Sequence, residues 1–289
     1  MSYLFIVSLV WAFSFGLIKS NLGGVDSTFV AYARMLISAL VFVPFIKLRG
    51  MHWKTTVKLA LTGLVQFGIM YIAYLAAFKT LKAYEVALFT IFTPIFVTLI
   101  NDAFTRRFNL LHLAVALITV AGTWIIEGEA IQTSSVIIGF LLVQVSNLCY
   151  AFGQIYYRRL MGQHPELKDR EAFGYLYIGA LVVTTLATLL FTPFSSLTLT
   201  SKQLLTLLYL GAVASGLSFF LWNIGARKVN AGTLAVFNDL KIPLAVAVSL
   251  LVFGESTNIP RLLIGGAVIV GALLLNEVLT HRKLSQPET

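Results

Sequence analysis

Charge is scarce in this chain. Only 11% of its 289 residues are Asp, Glu, Lys or Arg, against about 25% in a soluble domain. Cysteine is nearly absent too. The single Cys149 lies in an apolar run, so no intrachain disulfide can form. The four histidines, His52, His112, His164 and His281, stand far apart, and no H-E-x-x-H places two of them on one helix face. There is no G-x-x-x-x-G-K-[ST] loop to cradle a nucleotide, so the chain carries no ATP drive of its own. These absences leave no catalytic constellation, no metal site and no cofactor site to read.

Long apolar runs are what the sequence has instead. The hydrophobic fraction is 58% and the mean hydropathy is +0.87. About 20 apolar residues cross a bilayer core, and ten runs approach that length: 2–18, 28–46, 59–78, 83–101, 109–126, 135–157, 172–193, 203–225, 231–253 and 259–279. Helices fit these lengths, because in lipid every backbone polar group must be satisfied within the segment. The first run follows Met1 directly, with no basic n-region and no A-x-A site, and reads as a retained helix.

The net charge of +9 sits in short clusters between apolar runs, not in a soluble module, so the partner it implies is a bilayer and not nucleic acid. Fourteen Lys and Arg fall in one set of loops, including Arg106, Arg107, Arg158, Arg159, Arg227 and Lys228. Five fall in the other set: Lys19, Lys79, Lys82, Lys202 and Arg261. The positive-inside rule then puts both termini in the cytoplasm. No feature of the pattern selects an oligomeric state.

The two halves of the chain resemble each other. Residues 59–83 align without gaps on 207–231, so that Gly63 meets Gly211, Gly68 meets Gly216, and Tyr71 and Tyr74 meet Phe219 and Trp222. Further on, Pro94 meets Pro243 and Gly122 meets Gly271. Five spans per half is an odd number, so the second half enters the membrane from the opposite side. The expected fold is all-α and integral to the membrane, with ten helices in two inverted five-helix repeats, 1–134 and 135–289. Secondary transporters are often built so, with the substrate near the midplane where the repeats meet.

On "WAFSFGLIK" (11–19), on Arg34 in "YARMLISAL", on "FTPIFVTLI" and on "KIPLAVAVSLLVFGE", together with the doubled layout, the chain resembles the ten-helix EamA-like branch of the drug/metabolite transporter superfamily. The resemblance covers essentially the whole chain. It implies export of amino acids and other small metabolites without ATP, and a bacterial inner (plasma) membrane location. It also implies a cavity lined by the first, third, fourth, sixth, eighth and ninth helices. Arg106 stands where the family has an acidic residue after the fourth helix, while Glu255 keeps the one after the ninth.

Several residues mark the cavity. Asn147, Tyr150 and Gln154 recur at helical spacing on the sixth span, a polar face that lipid would not reward. Trp11 occupies the matching face of the first span, and Tyr74 and Trp222 add aromatic surface from the third and eighth. Lys241 lies ten residues, about 15 Å, into the ninth span. A charge at that depth costs on the order of 2.5–3.5 kcal/mol by insertion scales and reads as functional. Phe237 and Asn238 share its helix face, whereas Asp239 points away, two residues being about 200° of turn. The expected substrate site is therefore Lys241, Asn238, Phe237, Tyr150, Gln154, Asn147, Trp11, Tyr74 and Trp222. Pro94 and Pro243 each free a carbonyl four residues earlier and are read as hinges. Arg34, Glu85 and Asp239 are read as structural charges, with an Arg34–Glu85 pair at the outer face. The function these readings favour is export of small metabolites, amino acids or related carboxylates first, by alternating access around a midplane cavity. Efflux of apolar or cationic drug-like compounds is the alternative, and a membrane enzyme or scaffold without transport is the reading of another class.

Overall fold

The apolar runs fold as helices whose ends are set by the polar residues between them. In this computed structural model the described residues are 2–46, 51–106, 134–229, 231–256 and 258–285, with isolated positions between 114 and 125. They form α1 Ser2–Leu22, α2 Ser27–Phe42, α3 Trp53–Gly63, α4 Met70–Ala77, α5 Ala83–Phe89, α6 Thr93–Thr105, α7 Ser134–Gln163, α8 Asp169–Phe191, α9 Ser201–Tyr209, α10 Ser218–Arg227, α11 Ala231–Leu251 and α12 Ile259–Ser285. No strand occurs among the described residues. Asp26 starts α2 by accepting from the amides of Thr28 and Phe29, at 3.1 and 3.0 Å. Thr200 and Gln203 close a capping box at the start of α9.

Seven helical stretches among the described residues are long and apolar enough to cross a membrane: Ser2–Leu22, Ser27–Phe45, Trp53–Ala77, Ala83–Phe104, Ser134–Gln163, Asp169–Phe191 and Ser201–Arg227. They account for the first four and the sixth to eighth of the expected runs. The expected ninth and tenth runs are the helices α11 and α12. The expected fifth run, 109–126, lies outside the described residues apart from isolated positions. Several helices extend past their apolar runs because the basic residues at their ends, such as Arg158 and Arg227, are still helical.

Two spans contain π-helical stretches, Leu64–Ile69 between α3 and α4 and Leu210–Leu217 between α9 and α10. The extra residue per turn leaves carbonyls without their usual intrahelical donors, and in the second stretch side chains from elsewhere take them. Ser38 Oγ donates to the Gly211 carbonyl at 2.8 Å and Trp11 Nε1 to that of Ala214 at 2.8 Å. Tyr177 Oη donates to those of Ser215 and Gly216 at 2.7 and 3.0 Å.

Packing joins helices from before residue 107 to helices from after residue 133. α1 lies on α10 and α11, α2 and α3 on α8, α4 and α6 on α7, and α5 on α11. Between α3 and α8 the approach is close enough to require glycine on both sides. A Cβ on Gly63 would overlap the Leu176 backbone, and one on Gly179 would overlap that of Ala60. At the start of α5 the first amides are capped from far along the chain. Glu255 accepts from the amides of Ala83 and Tyr84 at 2.9 and 3.0 Å, and Lys82 Nζ donates to the Ser256 carbonyl at 3.2 Å.

The two proline helices differ. The span of Pro94 leaves α-geometry as a 3-10 turn over Thr90–Phe92 before α6 resumes. Thr93 Oγ1 donates to the Thr90 carbonyl that the proline leaves free, at 2.7 Å. Asn147 Nδ2 donates to the Phe89 carbonyl at 2.9 Å. α11 instead runs as one α-helix through position 243. The side chains of Pro243 and Asp239 lie outside the described residues.

Candidate functional site

The π stretch at Leu210–Leu217 organises one wall of a cavity, because two of the side chains it fixes face inward. Trp11 is held by its indole N–H on the Ala214 carbonyl. Arg34 is held by Nε, which donates to Ser215 Oγ at 3.0 Å, and by Nη2, which donates to Tyr71 Oη at 2.7 Å. Its guanidinium also lies 4.4 Å from the centre of the Tyr71 ring. Both residues line a cavity of about 70 Å³.

The remaining wall is mostly aromatic and hydroxylated. Phe15, Tyr74, Tyr150 and Phe219 contribute ring surface, and Ser14, Thr90, Thr93, Ser146 and Asn147 contribute short polar groups. Trp11 meets Phe219 at 4.9 Å and Tyr150 edge-on at 6.2 Å between centroids. Lys241 reaches the same space from α11. Its ammonium stands 5.3 Å from the Trp11 ring centre and 5.5 Å from that of Tyr150, so two aromatic faces share the charge. Arg34 is 2% and Lys241 5% exposed. Among the described lining residues these two carry the charge, and none is acidic.

Of the residues expected at the site, Lys241, Trp11, Tyr150, Tyr74 and Asn147 line this cavity. Four others do not. Trp222 is fully buried behind Trp11, 4.9 Å away between ring centres, and donates through Nε1 to Gln154 Oε1 at 3.3 Å. Gln154, one turn beyond Tyr150, is thereby engaged with Trp222 away from the cavity. Phe237 packs against the apolar core, and Asn238 is buried outside the lining.

The expected Arg34–Glu85 pair is also absent. Glu85 Oε2 accepts from the Lys82 amide at 2.8 Å, one turn back. The Arg34 guanidinium turns to Tyr71 and Ser215 instead. Thr90, Thr93, Ser146 and Met70 line the cavity without having been expected there. The signal for the first two was the T-x-x-T-P pattern around Pro94, since hydroxyls beside a broken helix gather where carbonyls are freed.

Comparison with known proteins adds to this geometry. The sequence profile of the EamA-like transporter family matches residues 1–128 and 137–277. A probable biotin transporter of Pseudomonas aeruginosa is 42% identical over 280 residues, covering 96% of this chain and 98% of that one. Biotin transporters of Salmonella typhimurium and Escherichia coli K12 are 38% and 36% identical over 291 residues, covering this whole chain and 95% of each of theirs. A solved crystal structure superposes with a TM-score of 0.70 at 22% identity over 96% of both chains, a likeness of fold.

Proposed function

This chain belongs to the EamA-like transporter family, and from that premise we propose that it carries biotin, or a carboxylate of similar build, across the membrane through the cavity between Arg34 and Lys241. It is a multi-pass membrane transporter, not an enzyme. The observation that carries the choice of substrate is the charge of the cavity: two buried cations, aromatic walls, and no acidic side chain among the described lining residues. Biotin presents one carboxylate on a short aliphatic chain and, at its other end, a neutral fused ring bearing a urea. The carboxylate balances Lys241, and the chain and ring find Trp11, Tyr150 and Phe219.

The amino-acid cargo expected from the sequence suits this cavity less well. An α-amino acid brings an ammonium as well as a carboxylate, and no described lining residue offers it an anion. Cationic drug-like compounds meet the same objection in stronger form, since two fixed cations would repel them.

In this reading transport is by alternating access in a ten-helix body of two inverted repeats, 1–134 and 135–289, with both termini in the cytoplasm. The π stretches at Leu64–Ile69 and Leu210–Leu217 support the repeats, because they fall on aligned segments of the two halves. The paired family match supports them as well. A reporter fused after Thr289 that works only in the periplasm should stay silent, and its activity would overturn the orientation. The function is tested with purified protein in liposomes and labelled biotin. Saturable flux, displaced by unlabelled biotin but not by a panel of amino acids, is the expected result. Flux of an amino acid with none of biotin would reverse the assignment.

A further inference from the structure

The cavity holds about 70 Å³, well below the roughly 300–1,000 Å³ of a small-molecule pocket. A substrate of biotin's size enters only after helices part, so the contacts that join them decide when it enters. α1, α11 and the span that begins with α5 pack on one another beside the cavity. They supply Trp11, Ser14 and Phe15, then Lys241, then Thr90 and Thr93 to its wall. Three contacts clasp these helices at one end, the outer face in the orientation proposed above. Glu255, in the connection after α11, accepts from the amides of Ala83 and Tyr84 with one carboxylate oxygen each, at 2.9 and 3.0 Å. Lys82 Nζ donates to the Ser256 carbonyl at 3.2 Å. The Phe253 ring fills a notch at Gly16 that a Cβ would occupy. Ala83 lies seven residues from Thr90, about 10 Å toward that face. The clasp thus stands beyond the cavity, and none of its residues is among the described lining.

The clasp is reversible by its chemistry and one-sided by its sequence. Ala83 and Tyr84 are buried, whereas Glu255 is half-buried, so on release the carboxylate meets water directly. Discounted for that exposure, two hydrogen bonds to a charged acceptor shift a population about 10- to 100-fold. The repeats align Ala83 with Ala231 and residues 102–109 with 251–258, which sets Arg106 against Glu255. Inversion then assigns position 106 to the first amides of α11, at the other face. Arginine has donors only and cannot accept from them, and Arg106 is exposed.

We propose that Glu255 is the latch of the outer opening: its carboxylate on the start of α5 holds the outer ends of α5 and α11 together, and the outer path to the cavity opens only when it lets go. Lys82 on the Ser256 carbonyl and Phe253 against Gly16 seat the connection that carries the latch. The opposite opening has no acid at the related position, so the latch acts on one side of the transport cycle. This rests on the alternating-access reading and not on biotin as the cargo.

The test reads access to the cavity and needs no substrate. Cys149→Ser removes the native thiol, and Ser14→Cys places one on the cavity wall. A charged, membrane-impermeant methanethiosulfonate is given from one side of sealed vesicles at a time. Its rate from the outer side follows the fraction of time that the outer path is open. Adding Glu255→Ala should raise that rate about 10- to 100-fold, and Glu255→Gln, which keeps one acceptor oxygen, should raise it less. An unchanged rate in a folded Glu255→Ala protein overturns the latch; if that variant does not fold, Glu255→Gln decides in the same way. A second measurement separates a latch from a static cap. Lys82 and Ser256 are exposed, so a short bismaleimide can join Lys82→Cys to Ser256→Cys in the Cys149→Ser background. Joining them should stop flux of labelled biotin in liposomes, and undiminished flux through the joined protein overturns the latch too. Alternating access requires that labelling from the other face not rise when Glu255→Ala speeds it from the outer side. A rise from both faces sinks the alternating-access reading, and the latch with it. Should no variant carry biotin, the biotin reading fails and the labelling rates still decide the latch.

Discussion

Replacing Lys241 by methionine separates binding from folding, because the two effects differ in size. An ammonium and a carboxylate about 4 Å apart attract by about 1 kcal/mol in bulk water and about 4 kcal/mol at an effective dielectric constant of 20. Lys241 is 5% exposed, so the second figure is the relevant one. Desolvation of the carboxylate returns part of it, leaving about 2–3 kcal/mol, or roughly 30- to 150-fold in affinity. Folding has a different balance. Methionine keeps most of the side-chain volume but removes the charge above the Trp11 and Tyr150 rings, a loss of roughly 0.5–2 kcal/mol per contact. It also removes an intramembrane charge that costs on the order of 2.5–3.5 kcal/mol. These two terms nearly cancel. Lys241→Met should therefore weaken equilibrium binding of labelled biotin to the detergent-purified protein at least about 30-fold, while the thermal unfolding midpoint moves by only a few degrees. An unchanged Kd in a folded Lys241→Met protein would show that Lys241 does not meet the carboxylate.

Two predictions concern stability. Gly63→Ala drives a methyl into the Leu176 backbone. A backbone neighbour cannot swing aside, so the cost should reach the upper part of the roughly 1–3 kcal/mol typical of overpacking, read as a lowered unfolding temperature, with Gly179→Ala behaving alike; an unchanged temperature would mean that α3 and α8 are not tightly packed. Asp26 gives a pH-dependent case. Burial alone would raise its pKa, but hydrogen bonds from Thr192, Thr28 and the Phe29 amide, with the nearby charge of Lys79, outweigh burial and hold the carboxyl below its ordinary 3.8. A depressed pKa means that the ionised group stabilises the fold above pH 3.8 and that this contribution fades as pH falls through the folded-state value. Asp26→Ala should thus be less stable by about 0.5–2 kcal/mol near neutrality, with a gap that narrows in acid; a gap independent of pH would refute the account.

Much of the fold was legible because lipid permits so few alternatives. Apolar runs of bilayer length had to be helices, and the proline at 94 announced the break that appears as the 3-10 turn at Thr90–Phe92. The depth of Lys241 and the spacing of Trp11, Tyr150 and Asn147 placed those residues on one cavity wall. What could not be read was anything that depends on the π stretches. An added residue per turn rotates everything after it relative to ordinary helical spacing, and it brings Ser215 to Arg34. Sequence spacing offered Glu85 as the partner instead. Trp222 shows a second limit, since periodicity gives the face of a helix but not which of two stacked rings stands in front. The side chain of Asp239 and the segment around 109–126 lie outside the described residues.

The cap on α5 has a consequence for how the protein is made. The amides of Ala83 and Tyr84 are satisfied by a carboxylate 172 and 171 residues later. At about 5–20 residues per second of synthesis, that acceptor arrives roughly 10–30 s after the helix it completes. During that interval the amides of Ala83 and Tyr84 lack this acceptor. The fourth span must therefore be inserted before it is finished, and a carboxylate just ahead of α12 closes the gap much later.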